Sequence, residues 1–207
     1  MRHSLILAAL ISLPLAAVAA QTPQLPREAP GKPLPKRAVS GRYKVDPAHT
    51  QVLFRVNHLG FSEYTGQFTQ PNGTLVLDAK RPSRSRVEVR FPIAAVKTTD
   101  PELDKHLQAA DFFDAKRFPE GRFVSTMIQA SGTRAMISGN LTLHGVTRPV
   151  VLNTRLVGAG PGFPDGKPNI GFVAQTTVKR SDFGISSGIP LVSDQVDLTI
   201  NAAFMAE

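Results

Sequence analysis

The chain contains no cysteine and no tryptophan, and only two tyrosines in 207 residues. Without cysteine there is no disulfide framework, no thiolate nucleophile and no thiolate-held metal, so stability has to come from packing and strand pairing. With Tyr43 and Tyr64 as its only tyrosines, the sequence lacks the aromatic girdles that a transmembrane β-barrel places at the two membrane interfaces. Arg55, Glu88 and Arg90 on what would be its lipid face count against that class too. After residue 20 no apolar run approaches the roughly 20 residues of a membrane-spanning helix. Also missing are a glycine-rich phosphate loop ahead of a helix, which argues against nucleotide use, and a G-x-S-x-G elbow. Ser181, Ser186 and Ser187 therefore sit in a loop without the setting a serine nucleophile needs. The acidic group Asp100, Glu102, Asp104, Asp111 and Asp114 reads as the solvated face of a surface helix and not as paired catalytic carboxylates.

What is present divides the chain into three parts. Residues 1–20, MRHSLILAALISLPLAAVAA, have a basic start (Arg2, His3), an apolar stretch from Leu5 to Leu15 and small residues at Val18-Ala19-Ala20. They predict a cleaved signal peptide, a mature chain starting at Gln21 and a periplasmic location. Residues 21–40 carry Pro23, Pro26, Pro30, Pro33 and Pro35, with Arg27, Lys32, Lys36 and Arg37 against Glu28. This is the composition of a disordered or polyproline-like basic linker, capable at most of transient contact with a membrane surface. Residues 41–207 are long enough for one domain with a substantial core. The formal charge of +8 is partly carried by the first two parts. Elsewhere both signs mix, as on an ordinary solvated surface, and no nucleic-acid partner is expected.

From Gly41 onward, apolar and polar residues alternate with the period of two that marks half-buried strands. In VLFRVNH, Val52, Phe54, Val56 and His58 share one face. The pattern recurs at Leu75 and Leu77; at Val87, Val89, Phe91 and Ile93; at Ile137, Leu141 and Leu143; at Val150, Leu152 and Leu156; at Ile170, Phe172 and Val178; and at Val196, Leu198, Ile200 and Phe204. Segments 64–69 and 123–129 complete eight or nine strands, joined by turns such as Pro71-Asn72-Gly73 and His144-Gly145. One stretch differs. After Thr99, Leu103, Leu107 and Ala110 fall at helical spacing behind Asp100 as N-cap and Pro101 at the first helical position, which predicts one short helical crossing. The fold class is therefore mainly β. Antiparallel strands in this number protect their edges by closing into a barrel of about eight strands, about the narrowest that can hold a ligand inside.

Among the histidines, His49, His58, His106 and His144 show no short chelating spacing, and no metal is expected. His49 and His144 read as turn-fixing residues and His106 as a pin for the helical crossing. His58 shares a face with Phe54 and Val56, so it is either a satisfied interior histidine or a contact for a ligand's polar head.

Four stretches taken together resemble the YceI-like family: YKVDPAHTQVLFRVNHLGFSEYTGQF, LDKHLQAADFFDAKRFP, GNLTLHGVTRPVVL and RSDFGI, in that order from about residue 42 to 204. The chain departs from the usual pattern at His49-Thr50, where His-Ser is common, and at Val96-Lys97-Thr98, where Ile-Asp-Thr is common. The resemblance implies an extended, lipocalin-like antiparallel barrel around a tunnel that takes an isoprenoid or fatty tail, with no cofactor besides that lipid; a homodimer would suit the family. The candidate ligand contacts are Phe54, Val56, His58, Phe61, Phe68, Phe91, Leu107, Phe123, Leu141, Leu143, Phe172 and Phe183. Phe112 and Phe113 would cap one mouth, and Arg180 would meet an acidic head group or else pair locally with Asp182 as an anchor. The expectation is a non-catalytic carrier. An exported enzyme acting on a lipid-like substrate, and an interaction module with a filled barrel, remain open at this point.

Overall fold

The computed structural model describes residues 25–207; the expected signal peptide and its cleavage point lie outside the described residues. The strands are β1 (Gly41–Val45), β2 (Gln51–His58), β3 (Ser62–Phe68), β4 (Asn72–Leu77), β5 (Arg86–Pro92), β6 (Val96–Lys97), β7 (Glu120–Ser131), β8 (Arg134–Leu143), β9 (Val146–Pro161), β10 (Pro168–Lys179) and β11 (Gln195–Ala206), with one helix, α1 (Pro101–Leu107). Pairing runs β1-β4-β5-β7-β8-β9-β10-β11 and returns from β11 to β1, which closes an eight-stranded antiparallel barrel. Closure leaves no long edge in the ring.

The remaining strands explain why eleven segments fill eight wall positions. β2 pairs with the first half of β11, Arg55 facing Asp197, while β1 pairs with its last residues, Val45 facing Phe204. So β1 and β2 are two halves of one position, as are β4 and β3, and β5 and β6. At the first break the hydroxyl of Thr50, a buried side chain, accepts from the Ala203 N–H (3.0 Å) and donates to its carbonyl (3.3 Å). A side chain thus stands in for the missing ladder bonds. At the second, Thr69 donates both its N–H and its hydroxyl to the Ala95 carbonyl. Pro71-Asn72-Gly73, expected as a turn between strands, instead straddles the joint between the end-to-end halves β3 and β4, with Asn72 and Gly73 already paired in β4; Gln70 and Gly73 take positive φ there. His144-Gly145 is a two-residue hairpin turn between β8 and β9, with φ of 50° and 74°.

In α1 the side chain of Asp100 accepts from the Glu102 N–H (2.9 Å), and Pro101 opens the helix. The helix ends at Leu107, so Ala110 lies in the irregular stretch beyond it. Asp104, 5% exposed, fastens this crossing to the wall. It accepts from the Thr98 N–H (2.6 Å), the Thr98 hydroxyl (2.8 Å) and Lys97 Nζ (3.2 Å). Burial opposes its ionisation, but the Thr98 and Lys97 bonds prevail and hold its carboxyl below the usual range.

The barrel has two unlike ends. The helical end carries α1 and the β2–β3, β8–β9 and β10–β11 connections; the linker end carries the β4–β5, β7–β8 and β9–β10 connections and both chain termini of the sheet. The proline-rich segment, expected as a disordered or polyproline-like linker, lies against the linker end over part of its length. Lys32 and Ala159 exchange backbone hydrogen bonds (3.2 and 2.9 Å), and Pro35–Arg37 form one 3₁₀ turn. Tyr43, 1% exposed, donates its hydroxyl to the Val39 carbonyl at 2.6 Å. Gly158 and Gly160 make the approach fit, because a Cβ on Gly160 would lie 2.5 Å from the Pro30 carbonyl oxygen. Tyr43, Val45, Leu75, Leu156, Ile170 and Phe204 pack as a core near this end.

Candidate functional site

The inward faces of the strands do not fill the barrel. They enclose a cavity of about 720 Å³, within the range of small-molecule sites, whose walls are almost wholly apolar. It runs from Leu103, His106 and Leu107 of α1 to Leu77, Pro82, Ala130 and Ala135 at the linker end.

Three phenylalanines keep the bore open by lying flat on the wall. Phe54 faces Gly66 across β2–β3, and Phe91 faces Gly121 across β5–β7. A Cβ on either glycine would come within 2.2 Å of the facing ring, and one on Gly139 within 2.4 Å of the Phe123 ring. Each ring therefore occupies the space its glycine leaves vacant, and the middle of the barrel stays unfilled. Phe68 bridges these rings to the crossing, with centroids 5.6 Å from Phe54, 4.8 Å from Phe91 and 5.4 Å from Phe113.

Of the residues expected to contact a ligand, Phe54, Val56, His58, Phe68, Phe91, Leu107, Phe112, Phe113, Phe123, Leu141, Leu143, Phe172, Arg180 and Phe183 border this one cavity. Phe61 does not. It is 91% exposed in the β2–β3 turn, beyond the end of β2 at His58 and out of step with the even-numbered positions that face inward in β2 and β3. His58 lies at the exposed mouth, where it bridges to Val192, so it carries no burial cost. Phe112 packs edge-on against His106 with centroids 4.9 Å apart, and His106 Nε2 lies 3.1 Å from Asp111. His49 Nδ1 lies 2.6 Å from Asp46, and His144 Nδ1 lies 3.0 Å from the Phe183 carbonyl.

Arg180 departs from the head-group expectation. It is 7% exposed and donates to four backbone carbonyls: Nε to Ser193 (2.9 Å), Nη1 to Ser187 (2.6 Å) and Ile185 (3.3 Å), and Nη2 to Val192 (2.8 Å). Its guanidinium is consumed in holding the β10–β11 connection, which leaves little of the fork for a ligand. Burial pushes its pKa down, and the charge of Asp194 opposes that shift. Its guanidinium pairs with no carboxylate among the described residues, so the expected pairing with Asp182 does not form; Asp194 acts on it only as a nearby charge. Asp194 accepts from the Ser181 N–H (2.9 Å) and hydroxyl (2.8 Å), and the Ser181 N–H leads in holding its carboxyl below the usual range.

Two contributions are hardly visible before folding. Tyr64, Gly188 and Val192 border the mouth; Gly188 and Val192 lie in an irregular connection with no alternation to follow. The role of Gly66, Gly121 and Gly139 appears only when strand pairing sets each beside a ring.

The family model described as the YceI-like domain matches residues 43–204. A protein named YceI from Salmonella arizonae is 40% identical over 166 residues, covering 79% of this chain and 86% of its own length. The crystal structure of the YCEI protein of Campylobacter jejuni superposes with a TM-score of 0.65 at 31% identity, over 73% of this chain and 90% of that one. A domain from Saccharophagus degradans, described as polyisoprenoid-binding and implicated in plant cell wall breakdown, shares the fold. Its TM-score is 0.61 at 14% identity, over 80% of this chain and 98% of that one.

Proposed function

The chain belongs to the YceI-like family, and from that membership we propose that it is an exported, periplasmic, non-catalytic protein that holds an isoprenoid or fatty-acid-like amphiphile for transport, storage or sequestration. The observation that carries the reading is the continuous apolar bore of about 720 Å³. At roughly 30 Å³ per small group, it suits a tail on the order of twenty carbons. Tail burial contributes about 0.8 kcal/mol per CH₂, and a polar head would rest at an open mouth where His58 and Tyr64 offer hydrogen bonds. The description of the Saccharophagus degradans domain as polyisoprenoid-binding is consistent with such a tail. The reading of a carrier over an enzyme is supported by how two of the titratable groups at the cavity are engaged: His106 by Asp111, Arg180 by four carbonyls.

A titration with prenols of increasing length, by displacement of an apolar fluorescent probe, tests the proposal. Affinity should rise with each added isoprene unit and level off once the bore is full. Affinity independent of length, or no displacement at any length, would overturn it.

A further inference from the structure

We propose that the linker end of the barrel docks on an anionic lipid surface, with the bore directed toward the bilayer. The charge of the molecule is sorted along its axis. The described linker, the β4–β5 loop, the β7–β8 hairpin with the facing residue of β9, the β9–β10 hairpin and the terminal residues Arg42 and Glu207 hold eleven Lys and Arg against four Asp and Glu. At the helical end, residues 97–117 and 179–194 together with Glu63 and Arg148 hold seven against eight. Only the linker end complements a negative surface, and the helical end would be weakly repelled by one.

Most of these cations are not spent on internal partners. Among the described residues, the ion pairs at this end are Lys32–Glu28, Arg42–Glu207 and Arg81–Asp78. Lys36, Lys80, Arg84, Arg134, Arg155 and Lys167 have none and, like Arg27, are exposed. Arg134 and Arg155 stand directly opposite each other in the β8–β9 ladder, a like-charge pair that costs stability and that a neutral surface would not call for. The charges come from segments far apart in sequence, so the fold concentrates what the linear chain spreads out.

Exposed apolar side chains lie among them: Leu34 and Val39 in the linker, Phe163 in the β9–β10 hairpin. Basic and apolar groups together on one face suit the headgroup region of a bilayer, where each cation near the surface strengthens binding about fivefold. The cavity reaches the same end through Pro82, Ala130 and Ala135. The direction of the bore rests on the lipid-holding reading above; the docking itself does not.

The test is co-sedimentation of the purified chain with vesicles of 30% phosphatidylglycerol in phosphatidylcholine, and with pure phosphatidylcholine. Binding is expected to the anionic vesicles alone and to weaken as salt rises. Arg84→Gln/Arg134→Gln/Arg155→Gln should weaken it on the order of a hundredfold, with no fall in melting temperature and no change in prenol affinity. Lys116→Gln/Lys179→Gln, at the helical end, should leave vesicle binding unchanged. Equal binding to both vesicle types would overturn the proposal, as would full binding by the triple variant. So would loss of binding on Phe61→Ser, which would assign docking to the helical end. Vesicle binding in a protein that takes no prenol would leave the docking standing and remove the cargo reading.

Discussion

Gly66→Ala should narrow the bore while leaving the barrel folded. The new methyl would lie 2.2 Å from the Phe54 Cζ and 2.8 and 2.9 Å from its two Cε atoms. Since it cannot coexist with the ring where it stands, the ring must swing off the wall, and the open side is the cavity. Overpacking of this kind costs about 1–3 kcal/mol, partly offset by the 0.5–1 kcal/mol by which alanine outperforms glycine within a strand. The melting temperature should fall by no more than about 10 °C. The effect on binding is larger in kind. A ring displaced into the lumen takes the place of about three methylenes of ligand, worth about 2.4 kcal/mol, or roughly fiftyfold in Kd. Prenol titrations would show this loss for chains long enough to reach Phe54 and little loss for short ones. Phe54→Leu in the same chain should restore most of it, and the double-mutant cycle should show strong coupling. Gly171→Ala is the control, because its Cβ would meet only the Ala202 carbonyl at an ordinary 3.7 Å. If folded Gly66→Ala bound long prenols as well as the parent, the idea that ring-on-glycine packing sets the bore would be refuted.

Arg180→Gln strands several buried carbonyls and should lower unfolding free energy by about 3 kcal/mol or more. In whatever fraction stays folded, binding of charged-head and neutral-head ligands should fall alike; selective loss of the charged-head ligand would show that the guanidinium reads a head group after all. Acid should loosen the helical crossing. The folded carboxyl of Asp104 titrates below its unfolded value of about 3.9, so its stabilisation is whole above that pH and drains away as the pH falls through the folded value. Amide exchange over residues 97–107 should therefore rise below about pH 4 before the barrel strands open, and an unchanged rate down to global unfolding would contradict that role. Thr50→Val removes the hydroxyl that bridges both backbone groups of Ala203 and should cost about 1–3 kcal/mol in denaturant unfolding; Thr50→Ser should cost much less.

The barrel was legible because period-two alternation survives wherever a strand has one wet face and one face toward an apolar interior. Val52, Phe54 and Val56 announce their direction in this way, and so do Val196, Leu198 and Ile200. What alternation does not encode is continuity. β1 offers only Tyr43 and Val45 inward and β6 is two residues long, so neither registers as a strand; that three wall positions are broken at one level follows from pairing across the barrel. For the same reason Phe61 was misplaced: it continues the apolar content of β2, but the chain has already turned at Leu59-Gly60, both at positive φ. Arg180 was ambiguous because its partners are backbone carbonyls of a connection with no periodicity, contacts that leave no trace in residue identity.

The most direct test of the central claim is native mass spectrometry of the protein purified without detergent, followed by organic extraction and identification of whatever is released. A stoichiometric adduct that extraction recovers as an isoprenoid or acyl lipid, and that Gly66→Ala reduces, is the result expected of an open bore lined by rings lying on glycines. A bare mass that no prenol or fatty acid shifts would contradict it.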